Sequence, residues 1–298
     1  MPEVLKECPV CQQTVLQPHL TCTDYTVSRE QFNLVKCASC SFVFTNPRPS
    51  MQDSGRYYKS EDYISHTNSS KGLLNKVYQF VRNSAIKSKL NLVESFSPRP
   101  KTILDYGCGT GEFLAYAKKS GWNSAGLELD DDARKLAKDN HQLNVDHPKA
   151  LAELPSGQFG VITLWHVLEH VHTLNETIEQ FKRCLSSEGI LVIAVPNYQS
   201  HDAEVFNEYW AAYDVPRHIY HFNKASMVTL MERHGLSLVK TQGMFFDPFY
   251  ISLLSTKYKN GHTNPIKAFF VGLKTNSLGK TNIEKHSSII YVFKKSNA

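Results

Sequence analysis

The segment Thr102-Ile-Leu-Asp105-Tyr-Gly107-Cys-Gly109-Thr-Gly111-Glu112-Phe-Leu114 sets the frame for everything around it. An apolar run ends in Asp105, three glycines follow at alternate positions, and a helix-like run from Glu112 to Lys119 comes next. This is a strand feeding a bare-backbone turn that opens a helix, the arrangement by which α/β sheets lay a nucleotide against main chain. Glycine is required there because a Cβ would block the ligand or forbid the dihedrals of the turn. A dinucleotide fingerprint would need its third glycine at position 112, where this chain has Glu112, so a nicotinamide cofactor is disfavoured. The next apolar run, Ser124-Ala-Gly-Leu-Glu128, reads as the neighbouring strand and ends in an acid.

After residue 100, strand-like and helix-like segments alternate, the pattern of a parallel sheet. Strands are expected at 102–106, 123–128, 143–146, 160–165 and 189–195, and helices at 111–120, 131–140, 167–172, 174–185 and 224–235. Leu236 to Phe246 reads as a further strand, 247–280 as mixed and mainly helical, and Ser287-Ser-Ile-Ile-Tyr-Val-Phe293 as the last strand.

The spacing hydrophobic-Asp-x-Gly-x-Gly-x-Gly resembles motif I of the class I S-adenosylmethionine (SAM) methyltransferases. Phe159-Gly-Val-Ile-Thr-Leu-Trp165-His166-Val-Leu-Glu169-His170-Val171 resembles the strand-four segment of that family, with Gly160 in place of the usual acid. Leu185-Ser-Ser-Glu-Gly-Ile-Leu resembles its turn into strand five. The resemblance covers roughly residues 100–240 and the terminal strand. It implies an α/β fold: a seven-stranded Rossmann-like SAM methyltransferase sheet with helices on both faces, the last strand inserted beside the fifth. It also implies that Asp105, Gly107, Gly109 and Gly111 hold the methionine end of SAM, Glu128 the ribose, and that Trp165 and His166 face the cofactor crevice. Asp146 is in range of the adenine, but its register leaves it unassigned.

Five of the seven cysteines fall early, and four form Cys8-Pro-Val-Cys11 and Cys37-Ala-Ser-Cys40. Two such knuckles supply four thiolates, the ligand set of a structural Zn2+ site with no open position for substrate. Residues 1–48 are therefore expected to be a small N-terminal zinc-binding, ribbon-like module. A tyrosine-rich stretch at 51–70 and an amphipathic helix from Leu73 to Phe96 make 49–99 a helical linker or lid, and 100–298 the SAM-dependent domain. Net charge is +5, from 33 basic and 28 acidic residues, with no concentrated basic stripe; nucleic acid as a partner is possible but not favoured. No signal peptide or membrane-spanning run is seen, so a cytoplasmic protein with no membrane partner is expected.

Residues 198–222 are unusually rich in aromatics and histidine and are expected to be an insertion covering the substrate. Within it, Asp214-Val-Pro-Arg217-His218-Ile-Tyr220-His221 crowds an acid, an arginine, two imidazoles and a phenol together. Histidine suits proton removal from a hydroxyl or amine near neutral pH, so His218, then His166 and His170, are the candidate bases. Tyr213, Arg217 and His221 are candidate substrate contacts, Arg217 as a clamp for a carboxylate or phosphate. The leading reading is a SAM-dependent methyltransferase acting on a small-molecule acceptor at O, N or C, with a homodimer possible. The module's pairing with this domain resembles zinc-containing sugar C-methyltransferases, which carry a further C-terminal domain. The alternatives are an RNA methyltransferase that uses the zinc module for recognition, or a non-catalytic SAM-binding adaptor.

Overall fold

The computed structural model describes residues 2–58 and 73–296, with the side chains of 73–80 outside the description. The chain opens with antiparallel strands β1 (Leu16–Thr23), β2 (Gln31–Cys37) and β3 (Val43–Thr45). A one-turn helix α1 (Met51–Ser54) and a 3-10 turn at Gly55–Tyr58 follow. Residues 59–70 of the tyrosine-rich stretch, Tyr63 among them, lie outside the described residues. The long helix α2 (Leu73–Glu94) then leads into the alternating part.

That part contains β4 (Thr102–Tyr106), α3 (Glu112–Lys119), β5 (Asn123–Leu127), α4 (Asp131–His141), β6 (Asn144–Asp146), β7 (Phe159–Trp165), α5 (Leu174–Cys184) and β8 (Leu185–Pro196). After it come α6 (His201–Phe206), β9 (Tyr220–His221), α7 (Lys224–Arg233), β10 (Leu236–Gly243), α8 (Asp247–Asn260), α9 (Pro265–Thr281) and β11 (Ser288–Lys295). The large sheet has the order β10-β11-β8-β7-β4-β5-β6. Strands β4 to β8 pair in parallel, and β11 lies antiparallel between β8 and β10. The seven-stranded sheet and the placement of the last strand beside the fifth agree with the expectation. Two local expectations change: 167–172 is only a 3-10 turn at Leu168–His170, and β8 begins four residues early because Leu185 pairs with Phe159 across a bulge.

Period-two alternation gives each central strand one apolar residue per face. Ile103, Val161 and Val192 pack against Leu90 and Val93 of α2 and Phe113 and Leu114 of α3. Leu104, Ile162 and Leu191 face the other way, into a core with Phe181 of α5 and with Phe42 and Phe44 from the N-terminal strands. Each such side chain contributes about 1.5–3 kcal/mol on burial. The N-terminal strands and the large sheet thus share one core. The insertion joins them as well, since β9 pairs with β3 and completes a four-stranded sheet β1-β2-β3-β9.

Gly160, which stands where an acid was expected, is explained by packing: a Cβ there would lie 1.9 Å from the Pro100 carbonyl oxygen. No helix among the described residues is long and apolar enough to cross a membrane.

Candidate active site

At the carboxyl edge of β4 all three glycines have positive φ, 75°, 55° and 85° for Gly107, Gly109 and Gly111. A Cβ on Gly107 would meet Val167 at 2.5 Å and one on Gly111 would meet Leu143 at 2.5 Å, whereas one on Gly109 would meet nothing within 4 Å. The outer glycines are demanded by packing. The middle one leaves bare backbone facing open space, the clearance a ligand chain needs.

Two acids flank that space. The Gly109 N–H donates to Glu128 Oε2 (2.8 Å), while Oε1 accepts from Leu129 and Asp130 (2.7 and 3.0 Å). Asp105 is buried and accepts from the Thr163 hydroxyl at 2.6 Å. Burial pushes its carboxyl up to about 7, against the Thr163 bond and the charge of Lys89. Lys89, on α2, lies 4.4 Å from the centroid of the Trp165 ring, which meets Phe113 edge-on. Glu112 binds the Thr110 hydroxyl and Arg82 of α2, so it ties that helix over the turn. Negative charge at Asp105 can meet a cationic amine, and Glu128 can exchange backbone donors for ribose hydroxyls.

Beyond the end of β7 lies an array of imidazoles and carboxylates. His166 follows the end of β7 at φ 58°, in the left-handed region that few residues other than glycine occupy. Its ring sits between Asp247 of α8 (3.1 Å) and Glu169 (3.5 Å). Burial alone would lower its pKa; the two carboxylates overcome this and carry it up to about 10, so the ring is an imidazolium at neutral pH. Glu169 is fully buried, and among the described residues neither carboxylate oxygen is within hydrogen-bond geometry of a partner. His218 donates through Nδ1 to the Ala212 carbonyl (2.8 Å), and its Nε2 lies 4.0 Å from both Glu169 and Asp214. His170 stands edge-on to His218, with ring centroids 4.6 Å apart. Its Nδ1 bonds to the Arg217 carbonyl and to the Tyr58 hydroxyl (2.9 and 3.0 Å). Burial and the His218 charge push His170 down to about 4, so it stays neutral. Glu169, His170 and His218 each present an atom within 4.8 Å of the others.

A cavity of about 750 Å³ brings some of these groups together, lined by Lys89, His166, Asp214, Arg217, His218 and Asp247 with Phe246, Tyr250 and Ile251. Tyr25 and Tyr258, stacked at 4.6 Å, form part of its wall. Tyr213 and His221 are not among the residues that line it. Tyr213 borders a separate groove beside His19 and Tyr198, and His221 is buried edge-on against Tyr213, its pKa pulled well down by burial.

Arg217 borders the cavity, but four of its five N–H groups are already used: two on Asp214 (3.0 and 2.6 Å), one on Asp24 (3.0 Å) and one on the Tyr57 carbonyl (2.9 Å). The guanidinium expected to clamp a substrate anion instead clamps the insertion to the N-terminal strands. Lys89 and Asp247 escaped the sequence reading. A lysine on an amphipathic helix and an acid in a first helical turn both have ordinary solvated roles.

The four N-terminal sulfurs also converge. Cys8 and Cys40 Sγ are 3.5 Å apart, as are Cys11 and Cys37, and all four lie within 4.8 Å of one another without a disulfide. Tetrahedral zinc with bonds of about 2.3 Å requires sulfur separations of about 3.8 Å, so the set fits with small shifts. The two knuckles are built alike. Gln12 and Ser41, each just past its second cysteine, have φ near 60° and donate to the carbonyls of Cys8 and Cys37 (2.8 and 3.0 Å).

Comparison with known proteins places this geometry in context. A family model described as a methyltransferase domain matches residues 78–241. Over 65 residues the chain is 45% identical to the ribosomal protein L11 methyltransferase of Neisseria meningitidis, 21% of this chain and 22% of that protein. The chain thus spans only about a fifth of that relative's length. It is 25% identical over 166 residues to the ubiquinone biosynthesis O-methyltransferase of Actinobacillus pleuropneumoniae, 50% of this chain and 70% of that one. In fold it is similar to the magnesium protoporphyrin IX methyltransferase of Synechocystis PCC 6803, with TM-score 0.52, 12% identity and coverage of 80% and 97%. It is likewise similar to the 1,6-didemethyltoxoflavin-N1-methyltransferase of Burkholderia thailandensis, with TM-score 0.51, 12% identity and coverage of 94% and 100%.

Proposed function

The chain belongs to a methyltransferase-domain family, and we propose that it is a SAM-dependent enzyme that methylates a small-molecule acceptor held in the cavity beside His166 and His218. The observation that carries this reading is the junction of two spaces. Lys89 lines the acceptor cavity and also acts on the charge of Asp105, beside the glycine turn. A cavity of about 750 Å³ is the size that encloses a small ligand, which favours such an acceptor over RNA.

In this reading Asp105, the backbone of Gly107, Gly109 and Gly111, and Glu128 hold SAM, with Trp165 closing the crevice. When bound, SAM supplies an electrophilic methyl group on its sulfonium. His218 Nε2 takes the proton from the acceptor, and Glu169 behind it stabilises the imidazolium that forms. His166, charged and fixed between Asp247 and Glu169, orients the carboxylates, and neutral His170 supports the His218 ring. Cys8, Cys11, Cys37 and Cys40 hold one structural zinc ion, so the N-terminal module acts through the fold and not at the reacting atoms.

Parallel calorimetric titrations test the cofactor: SAM should bind and NAD should not. His218→Asn should leave SAM affinity unchanged and lower kcat on a turned-over acceptor about 100-fold; an unchanged kcat would remove His218 from its role. Metal analysis should find about one zinc per chain, and a metal-free, disulfide-bonded protein would refute the ribbon.

A further inference from the structure

The hairpin formed by α8 and α9 is inverted relative to an ordinary surface helix. The residues of α9 that face the protein are small or polar: Ala268, Gly272, Thr275, Asn276 and Gly279. Its large apolar residues point outward, with Ile266 72%, Phe269 52%, Phe270 64% and Leu273 42% exposed. α8 follows the same rule in part, burying Ser252, Ser255 and Thr256 completely beside Pro248 and Ile251 while Tyr250 is 52% exposed. Phe245, 54% exposed, extends the apolar face just before α8.

A helix at a protein–water boundary turns its apolar stripe inward. Small residues inside and large apolar ones outside is the arrangement of helices whose surroundings are themselves apolar. The interior is specifically built to allow it. Gly272 lies so close under Phe249 that a Cβ would approach the ring to 2.5 Å. The Asn276 amide donates to the Phe245 carbonyl (2.9 Å), and the Ser255 hydroxyl accepts the Ala211 N–H (2.9 Å).

Charge indicates what covers the face. Between residues 244 and 281 the chain has five exposed lysines, Lys257, Lys259, Lys267, Lys274 and Lys280. The one acid in that interval, Asp247, is turned inward onto His166. This hairpin therefore carries a net +4 of the chain's +5. A second copy docked face to face would set lysines against lysines, and a nucleic acid would find no stacking partner in Ile266 or Leu273. An anionic lipid surface satisfies both the phenylalanines and the lysines. The helices are too short and too interrupted to cross a bilayer, so they would lie in its interface. The face also continues into the acceptor cavity, because Phe246, Tyr250 and Lys257 line it.

We propose that the α8–α9 hairpin docks this protein on an anionic membrane surface, with the mouth of the acceptor cavity at the lipid boundary. Docking stands independently of which acceptor is methylated. The test is co-sedimentation of the full chain with phosphatidylcholine vesicles made with and without phosphatidylglycerol, over a range of salt. The wild type should partition onto the phosphatidylglycerol vesicles and be released by salt. Phe269→Ser with Phe270→Ser, at exposed positions, should weaken partitioning by more than about tenfold. Lys267→Gln with Lys274→Gln should weaken it about 25-fold, near fivefold per lysine. SAM affinity, measured on the same variants, should not move, which separates failure of docking from failure of the cofactor site. Absence of partitioning, or partitioning indifferent to the two phenylalanines, would overturn the proposal. So would a dimer in solution that these substitutions dissociate while vesicles are ignored.

Discussion

The two halves of the carboxyl edge are made in opposite ways. On the side proposed for the cofactor, β4, the glycine turn and Glu128 lie within one short run of chain, and the surface is largely main chain: an open backbone at Gly109 and N–H groups gathered by Glu128. On the acceptor side the surface is made of side chains, brought from β1's far end, α2, the turn after β7, the insertion and α8. Asp24 and Arg217, which join two of these segments, are 193 positions apart in sequence. A site made from local backbone tolerates change in its surroundings and little change in itself. A site assembled from distant side chains depends on whatever ties the segments together.

The sharpest way to break this contrast is at the tie. Arg217 is buried against Asp24 and Asp214, so Arg217→Met leaves carboxylates uncompensated in the interior. The expected cost is about 3–5 kcal/mol, a fall in Tm on the order of 10 °C. Differential scanning calorimetry reads it, and a variant as stable as the wild type would show that the tie is not structural. On the cofactor side, Gly109→Val should leave zinc content in place while SAM affinity falls by at least roughly 100-fold, because it puts a branched side chain at positive φ into the ligand's space. Calorimetric titration beside metal analysis checks both readouts.

The third test concerns pH. Folded, Asp105 holds its proton up to about 7, whereas an unperturbed aspartate releases it at 3.8. Between these values the folded chain binds the extra proton, so this group's contribution to stability is complete below about 4 and is lost as pH rises through about 7. Urea unfolding of the wild type and of Asp105→Asn at several pH values should show that decline in the difference between them, because His170 contributes with the opposite sign in the same range.

What could be read from the sequence follows the same division. The glycine turn and the position of Glu128 beside it were legible because each is written in a few adjacent residues with a fixed spacing, and the strand order came only with the family resemblance those residues carry. The paired knuckles were legible for the same reason. Arg217 was seen as a functional cation, and its true partners were invisible because Asp24 and the Tyr57 carbonyl come near it only in the folded chain. Lys89 and Asp247 each had an ordinary surface meaning until α2 and α8 were placed. The hairpin shows the limit of periodicity itself. Residues 247–280 read as mixed because Phe269, Phe270 and Leu273 face out while Gly272, Thr275 and Asn276 face in, and a rule that places apolar residues inside finds no clean stripe.

The pairing of β9 with β3 bears on the order in which the molecule comes into being. Loop closure over so many residues is slow compared with forming a turn. During synthesis the glycine turn, β5 and β6 have all emerged by Asp146, while the acceptor cavity still awaits Arg217, His218 and Asp247. The half proposed to hold the methyl donor is synthesised first, and the half proposed to receive the acceptor is completed later, once β9 has met β3 and α8 has followed.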